Sequence, residues 1–278
     1  MAFAKMYPCF YVSLFIPSVK NLLATNSGIF AFAKINISIY YYTMDTPKAT
    51  LYLIPTVLAE LEFNCLPNYL LPAIKECTVF FVENERTTRR FFKSIYKEMV
   101  IDDYQWITIH KAEATVKNDL IKHLQHGATI GIVSEAGCPA IADPGQLLVA
   151  AAQQFGAVVK PLVGPSSILL SLMASGFNGQ NFTFNGYLPI DNLERNTALK
   201  ALEVIVTQHN TTQLFIETPY RNNQLLESIL KICQPTTLLC IATNLTSITE
   251  TVVTKSIHDW KKAIPNLHKQ PTIFLLGS

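Results

Sequence analysis

Glu135 and Asp143 are the two carboxylates most suggestive of chemistry in this sequence. They lie within GATIGIVSEAGCPAIADPGQLLVAAAQQFGAVVKPLVGPSS, residues 127 to 167. A carboxylate at a strand end can act as a general base or a strong acceptor towards a hydroxyl. Glu85 is a third candidate, in Glu83-Asn84-Glu85-Arg86 after the run TVFFV. Between Glu135 and Asp143 the chain turns at Gly137, Cys138 and Pro139, and again at Pro144 and Gly145. Proline restricts φ and glycine lets backbone approach a ligand closely, so this loop suits a nucleotide-like molecule. An ordinary turn fits as well, with Asp143 capping a helix that begins at Pro144.

Two further segments carry similar alternatives. Gly164-Pro165-Ser166-Ser167 precedes ILLSLMA and should start a helix, where free amides and two hydroxyls can hold a carboxylate. Helix capping explains those serines nearly as well. Glu217 follows QLFI, and it either faces the same cleft or pairs with Arg221. Arg86, Arg90, Lys93 and Lys97 share one helical face, with Phe92, Ile95 and Met99 on another. That face is either a solvated surface or a local phosphate-binding strip beside Glu83.

Other chemistries lack their motifs. There is no G-x-G-x-x-G and no P-loop. The six cysteines include no C-x-x-C, and the six histidines show no metal spacing, so no metal is assigned. Free thiols point to a reducing cytoplasm.

Elements able to position these residues follow from periodicity. Apolar runs of strand length occur at 50 to 56, 78 to 82, 106 to 110, 128 to 134 and 157 to 163. Segments of helical period lie between them near 68 to 76, 87 to 99, 115 to 126 and 144 to 155, which implies βαβ units and a mostly parallel sheet. After a helix from 166 to 174, strands near 182 to 187 and 213 to 218 alternate with helices near 194 to 208 and 221 to 232. Three strand candidates then follow at 237 to 243, 249 to 254 and 271 to 277, close enough to pair antiparallel. The expected architecture is α/β, with an N-terminal domain over 44 to 163 and a C-terminal α+β domain over 164 to 278.

Residues 1 to 43 read as an extension outside the fold. Their apolar segments are interrupted by Pro8, Pro17 and Lys34, so none has the length of a spanning helix, and no membrane association is expected. Lys5, Lys20 and Lys34 supply charge there, leaving nineteen basic against twenty acidic residues in the remainder. A near-neutral body lacks a global nucleic-acid footprint, so any RNA contact must be local.

Taken in order, LYLIPT, SEAGCPAIADPG, PLVGPSS, SGFNGQNFTFNGYLP and FIETPYR resemble the tetrapyrrole-methylase-like (class III) S-adenosylmethionine methyltransferases. The likeness runs from about residue 50 to 277 and is strongest towards the branch of bacterial 16S rRNA cytidine 2′-O-methyltransferases. It implies a homodimer of two-domain α/β chains, each holding S-adenosyl-L-methionine in the cleft between domains. Carried over by position, Pro55, Leu58, Glu135, Gly137, Cys138, Pro139, Ile141, Ser166, Ser167, Glu217 and Leu245 would meet the cofactor. By their place at the strand end and on the helical face beside the cleft, and not by the resemblance, Glu83, Arg86, Arg90 and Lys93 are the candidates to face the substrate, which the resemblance makes small-subunit ribosomal RNA. The chain departs from that branch at Val57-Leu58-Ala59-Glu60, where Pro-Ile-Gly-Asn is usual, and at Val82 to Arg86, where Ala-Glu-Asp-Thr-Arg is usual. Three functions follow: 2′-O-methylation of ribosomal RNA, methylation of a small molecule such as a tetrapyrrole, or a non-catalytic RNA-binding role in assembly.

Overall fold

Runs such as VFFV and TIGIV are apolar at successive positions, so each strand must be covered on both faces. The computed structural model describes residues 49–109 and 113–278 and shows how this is done. The expected extension over 1 to 43 lies outside the described residues.

The first sheet is built from β1 (Thr50–Ile54), β2 (Val79–Val82), β3 (Gln105–Thr108), β4 (Thr129–Val133) and β5 (Val158–Pro161). Helices α1 (Leu70–Glu76), α2 (Glu85–Ile95), α3 (Glu113–Gln125) and α4 (Gln146–Phe155) connect them. All pairings are parallel, in the order β3-β2-β4-β1-β5. One face packs Leu51, Phe81 and Ile132 against Leu120 and Leu148, and the other packs Ile54 and Phe80 against Ile74 and Phe92. Gly131 sits where a Cβ would lie 2.7 Å from the Phe80 ring and 2.8 Å from Ile54, so the large apolar side chains fill its space. Because β1 and β4 are neighbours, their carboxyl ends deliver Pro55-Thr56 and Ser134-Glu135 side by side, the usual ligand position in such sheets.

After α5 (Ser167–Ser175), the second sheet contains β6 (Phe182–Tyr187), β7 (Thr212–Ile216), β8 (Leu238–Thr243), β9 (Thr251–Ser256) and β10 (Thr272–Gly277). Its helices are α6 (Asn192–His209), α7 (Asn222–Ile232) and the short α8 (Ile257–Trp260). The order is β6-β7-β10-β8-β9, with β6 and β7 parallel and the other pairs antiparallel. The expected antiparallel pairing of the last three strands is therefore present.

α2 is shifted from the expected 87 to 99. Asn84 starts it early, its side chain accepting hydrogen bonds from the amides of Arg86 and Thr87. Its last turn closes at Ile95, and Lys93 Nζ donates to the carbonyls of Lys97 and Met99 just beyond. Lys97 thus lies outside the helix and outside its basic face. No helix among the described residues is long and apolar enough to cross a membrane.

Candidate functional site

Three segments far apart in sequence lock together at the strand ends. The Thr56 amide donates to the Gly137 carbonyl at 2.9 Å, and the Thr56 hydroxyl reaches the Ser134 carbonyl at 3.4 Å. Gly137 has φ +73°, and a Cβ there would come within 3.1 Å of Leu58 and 3.3 Å of the Pro165 carbonyl. Gly164 is closer still to its neighbour, since a Cβ would lie 2.1 Å from Pro55 Cβ. Cys138 Sγ sits 3.8 Å from the Gly164 carbonyl and 3.6 Å from that of Pro165. Pro55, Gly137, Cys138 and the start of the Gly-Pro-Ser-Ser segment are thereby brought into one site. Pro139 is buried beneath it, while Ile141 remains 54% exposed.

Capping does not explain the polar residues of these loops. α4 begins at Gln146 with Gly145 as its N-cap, so Asp143 lies before the cap instead of forming it. Ser166 is the N-cap of α5, yet its side chain makes no capping hydrogen bond. Ala140 and Ala142 hold φ +66° and +62°, a left-handed conformation that costs residues bearing a Cβ about 1–3 kcal/mol. Two helix starts without side-chain caps, a tightly flanked glycine at positive φ in Gly137, and nearby carboxylates fit S-adenosyl-L-methionine, which presents carboxylate, ammonium and ribose hydroxyls.

The carboxylates form a cluster. Glu83 Oε2 accepts from the Glu135 amide at 2.9 Å, and Glu135 Oε1 accepts from the Thr87 hydroxyl at 3.2 Å. Asp143 is half-buried, and burial pushes its carboxyl up to about 6. Glu83 and, less strongly, Glu135 add to the rise, while the nearby Ser134 hydroxyl, buried and without a hydrogen-bond partner of its own among the described residues, partly offsets it. Glu85 is engaged elsewhere, in a 2.6 Å ion pair with Arg89 on α2.

Beside this cluster opens a cavity of about 480 Å³ whose lining includes Leu58, Leu61, Phe63, Thr87, Phe91 and Glu135. Among the proposed substrate residues, Arg90 lines it, facing Glu60 at 3.5 Å. Arg86 is exposed on the first turn of α2, and Lys93 is held by the carbonyls at the other end.

The second sheet contributes Glu217 and Leu245. The Glu217 side chain is buried, pairs with Arg221 at 2.6 Å and accepts from the Thr218 amide at the same distance. Leu245 is buried in an apolar cluster that also contains Leu58, Ile168 and Ile216, linking the two sheets. Sequence reading did not single out Thr56, Ser134, Thr87, Phe63 or Phe91. The first two carry no motif signal beyond their place at strand ends, and the aromatic pair is assembled only by folding.

Ribosomal RNA small subunit methyltransferase I of Vibrio cholerae is 30% identical over 213 residues, covering 76% of this chain and 69% of that protein. The chain belongs to the ribosomal RNA small subunit methyltransferase I family. A relative of the same name from Halalkalibacterium halodurans is 32% identical over 191 residues, and the chain spans 63% of that protein's length. The counterpart from Escherichia coli O157:H7 is 27% identical over 242 residues, covering 85% of this chain and 80% of that one. Among solved structures, the methyltransferase CobJ superposes with a TM-score of 0.56 at 17% identity, over 84% of this chain and 95% of that one. Its likeness establishes a shared fold. No protein-family model matches the chain.

Proposed function

We propose that this chain transfers a methyl group from S-adenosyl-L-methionine to a ribose 2′-hydroxyl of small-subunit ribosomal RNA. The observation that carries the reading is the interlock of Pro55-Thr56, Gly137-Cys138 and Gly164-Pro165, with Asp143 ahead of the α4 cap and Ser166, which makes no capping hydrogen bond, in the same loops. Names of the family relatives support the RNA acceptor.

The bound cofactor supplies an electrophilic methyl group on a sulfonium. Gly137 and Gly164 let backbone close around it, and Ser166 and Ser167 offer hydroxyls at the start of α5. Pro139, Ile141, Leu58 and Leu245 supply apolar contact, and Glu217 a carboxylate held in place by Arg221. A ribose hydroxyl is a weak nucleophile, so an acceptor for its proton assists the displacement. Asp143 fills that role better than Glu85, which Arg89 neutralises, or Glu135, which is exposed and hydrogen-bonded to Thr87. Burial pushes its carboxyl up to about 6, so it takes up a proton more readily than an ordinary aspartate does. Much of the remaining acceleration comes from alignment of donor and acceptor.

In this reading the cofactor lies between domains at 44 to 163 and 164 to 278, and the chain acts as a cytoplasmic homodimer. Leu169 and Met173, one turn apart on α5 and 53% and 79% exposed, suit a subunit contact. Comparing 2′-O-methyl profiles of ribosomal RNA from cells with and without the gene tests the acceptor. One ribose should lose its methyl group in the deletion strain, and an unchanged profile would exclude this acceptor.

A further inference from the structure

The cavity beside the carboxylates has a wall that the cofactor does not account for. Of the residues assigned to the cofactor, Leu58 and Glu135 line it. The lining also includes the apolar Phe63 and Phe91, their rings 6.3 Å apart and inclined by 30°. Its volume suits a single small ligand and is too small for a length of duplex. Glu60 from the β1–α1 loop and Arg90 from α2 face each other at 3.5 Å, both largely exposed. Such a surface pair contributes at most about 1 kcal/mol, so a phosphate can replace Glu60 as the partner of Arg90.

Leu61 is anomalous in two respects. It has φ +64°, which is rare for a bulky residue, and its side chain is 77% exposed at this cavity. Its conformation is fixed by two successive tight turns, with Glu62 N donating to the Ala59 carbonyl at 3.4 Å and Phe63 N to the Leu61 carbonyl at 3.0 Å. The strained apolar tip is therefore left largely exposed beside the aromatic pair.

We propose that the cavity receives one nucleotide extruded from structured RNA, its base lying on the Phe63 and Phe91 wall, while Leu61 fills the place it leaves in the stack. Enzymes that do chemistry on a base extrude it into a pocket, and apolar side chains commonly occupy opened base steps; extrusion here would bring the base into the cavity and the ribose to its mouth. Aromatic rings accept any base face, so the wall would take the nucleotide whatever its base. The inference rests on the RNA-methyltransferase reading.

Leu61→Gly tests it without threatening the fold, because glycine adopts positive φ without strain. Phe91→Leu keeps the wall apolar but removes the ring, and thermal unfolding controls for its packing against Phe92. Methyl transfer by the full chain is measured on structured ribosomal RNA and on an unstructured oligonucleotide carrying the same target. A 2-aminopurine placed next to that target reports unstacking. With L61G, transfer to structured RNA should fall about tenfold, several-fold more than on the oligonucleotide, and the fluorescence rise on binding should be largely lost. With F91L, transfer should fall on both RNAs. Equal losses for L61G on the two RNAs, or a wild-type fluorescence rise with L61G, would overturn the inference and leave the RNA reading intact. If the wild-type chain methylates no RNA, both fall together.

Discussion

The backbone amide of Glu135 donates a 2.9 Å hydrogen bond to Glu83 Oε2, pinning the start of the central loop to the end of β2. That contact sets the electrostatics of the site. Glu83 is fixed where its charge opposes ionisation of Asp143, adding to the larger effect of burial.

An ionised Asp143 is needed to accept a proton, so kcat/KM should fall as pH drops through about 6. Glu83→Gln keeps an oxygen for the Glu135 amide and removes the charge, and its acid limb should move to lower pH. Asp143→Asn should lose about 10²–10⁴ in rate. The folded-state value is raised above the ordinary aspartate value, so ionisation opposes folding as pH climbs from about 4 to about 6. D143N should therefore be no less stable than wild type at pH 7. A pH-rate profile of E83Q that overlays the wild type would contradict this assignment.

Gly164→Ala should damage the site without touching a charged group. The new Cβ would lie 2.1 Å from Pro55 Cβ, and the proline ring, closed on its own backbone, has little room to relax. Overpacking of this kind costs about 1–3 kcal/mol, or several degrees in melting temperature. Calorimetry should also show weaker binding of S-adenosyl-L-methionine, because Pro55 and the start of α5 are displaced together. Wild-type melting and binding would show that the segments are not rigidly interlocked.

Ser166 and Asn84 separate capping from ligand binding. Asn84→Ala removes a cap that holds two amides and should cost about 1 kcal/mol. Ser166 holds none, so Ser166→Ala should change stability by less than about 0.5 kcal/mol while weakening cofactor binding. A stability loss in S166A equal to that in N84A, with cofactor affinity unchanged, would return Ser166 to a purely structural role.

Arg221→Ala leaves the Glu217 carboxylate buried with only the Thr218 amide as its recorded partner. Breaking such a pair typically costs about 3 kcal/mol. Denaturant unfolding should show that loss, and Arg221→Lys should recover part of it. If R221A unfolds at the wild-type midpoint, the pair is not what holds Glu217 in place.

The order of strands and helices was legible because parallel-sheet strands are continuous apolar runs and their helices have clear periods. Partnering was less legible. The Gly-Cys-Pro loop read equally well as an ordinary turn and Gly-Pro-Ser nearly as well as a helix cap, and their contact with Pro55 and Leu58 at Gly137 and Gly164 appears only in the fold. The basic face of α2 shows the converse. Spacing aligned Arg86, Arg90, Lys93 and Lys97, but Lys93 folds onto two carbonyls and the helix ends before Lys97. Helical spacing describes which residues share a face, not which of them remain available to a ligand.

Incubation of the full chain with methyl-labelled S-adenosyl-L-methionine and purified small ribosomal subunits tests the central claim most directly. Label should enter a single ribose 2′-oxygen of the ribosomal RNA, and D143N should abolish most of it. Cofactor binding with no label in RNA would contradict the assignment of the acceptor.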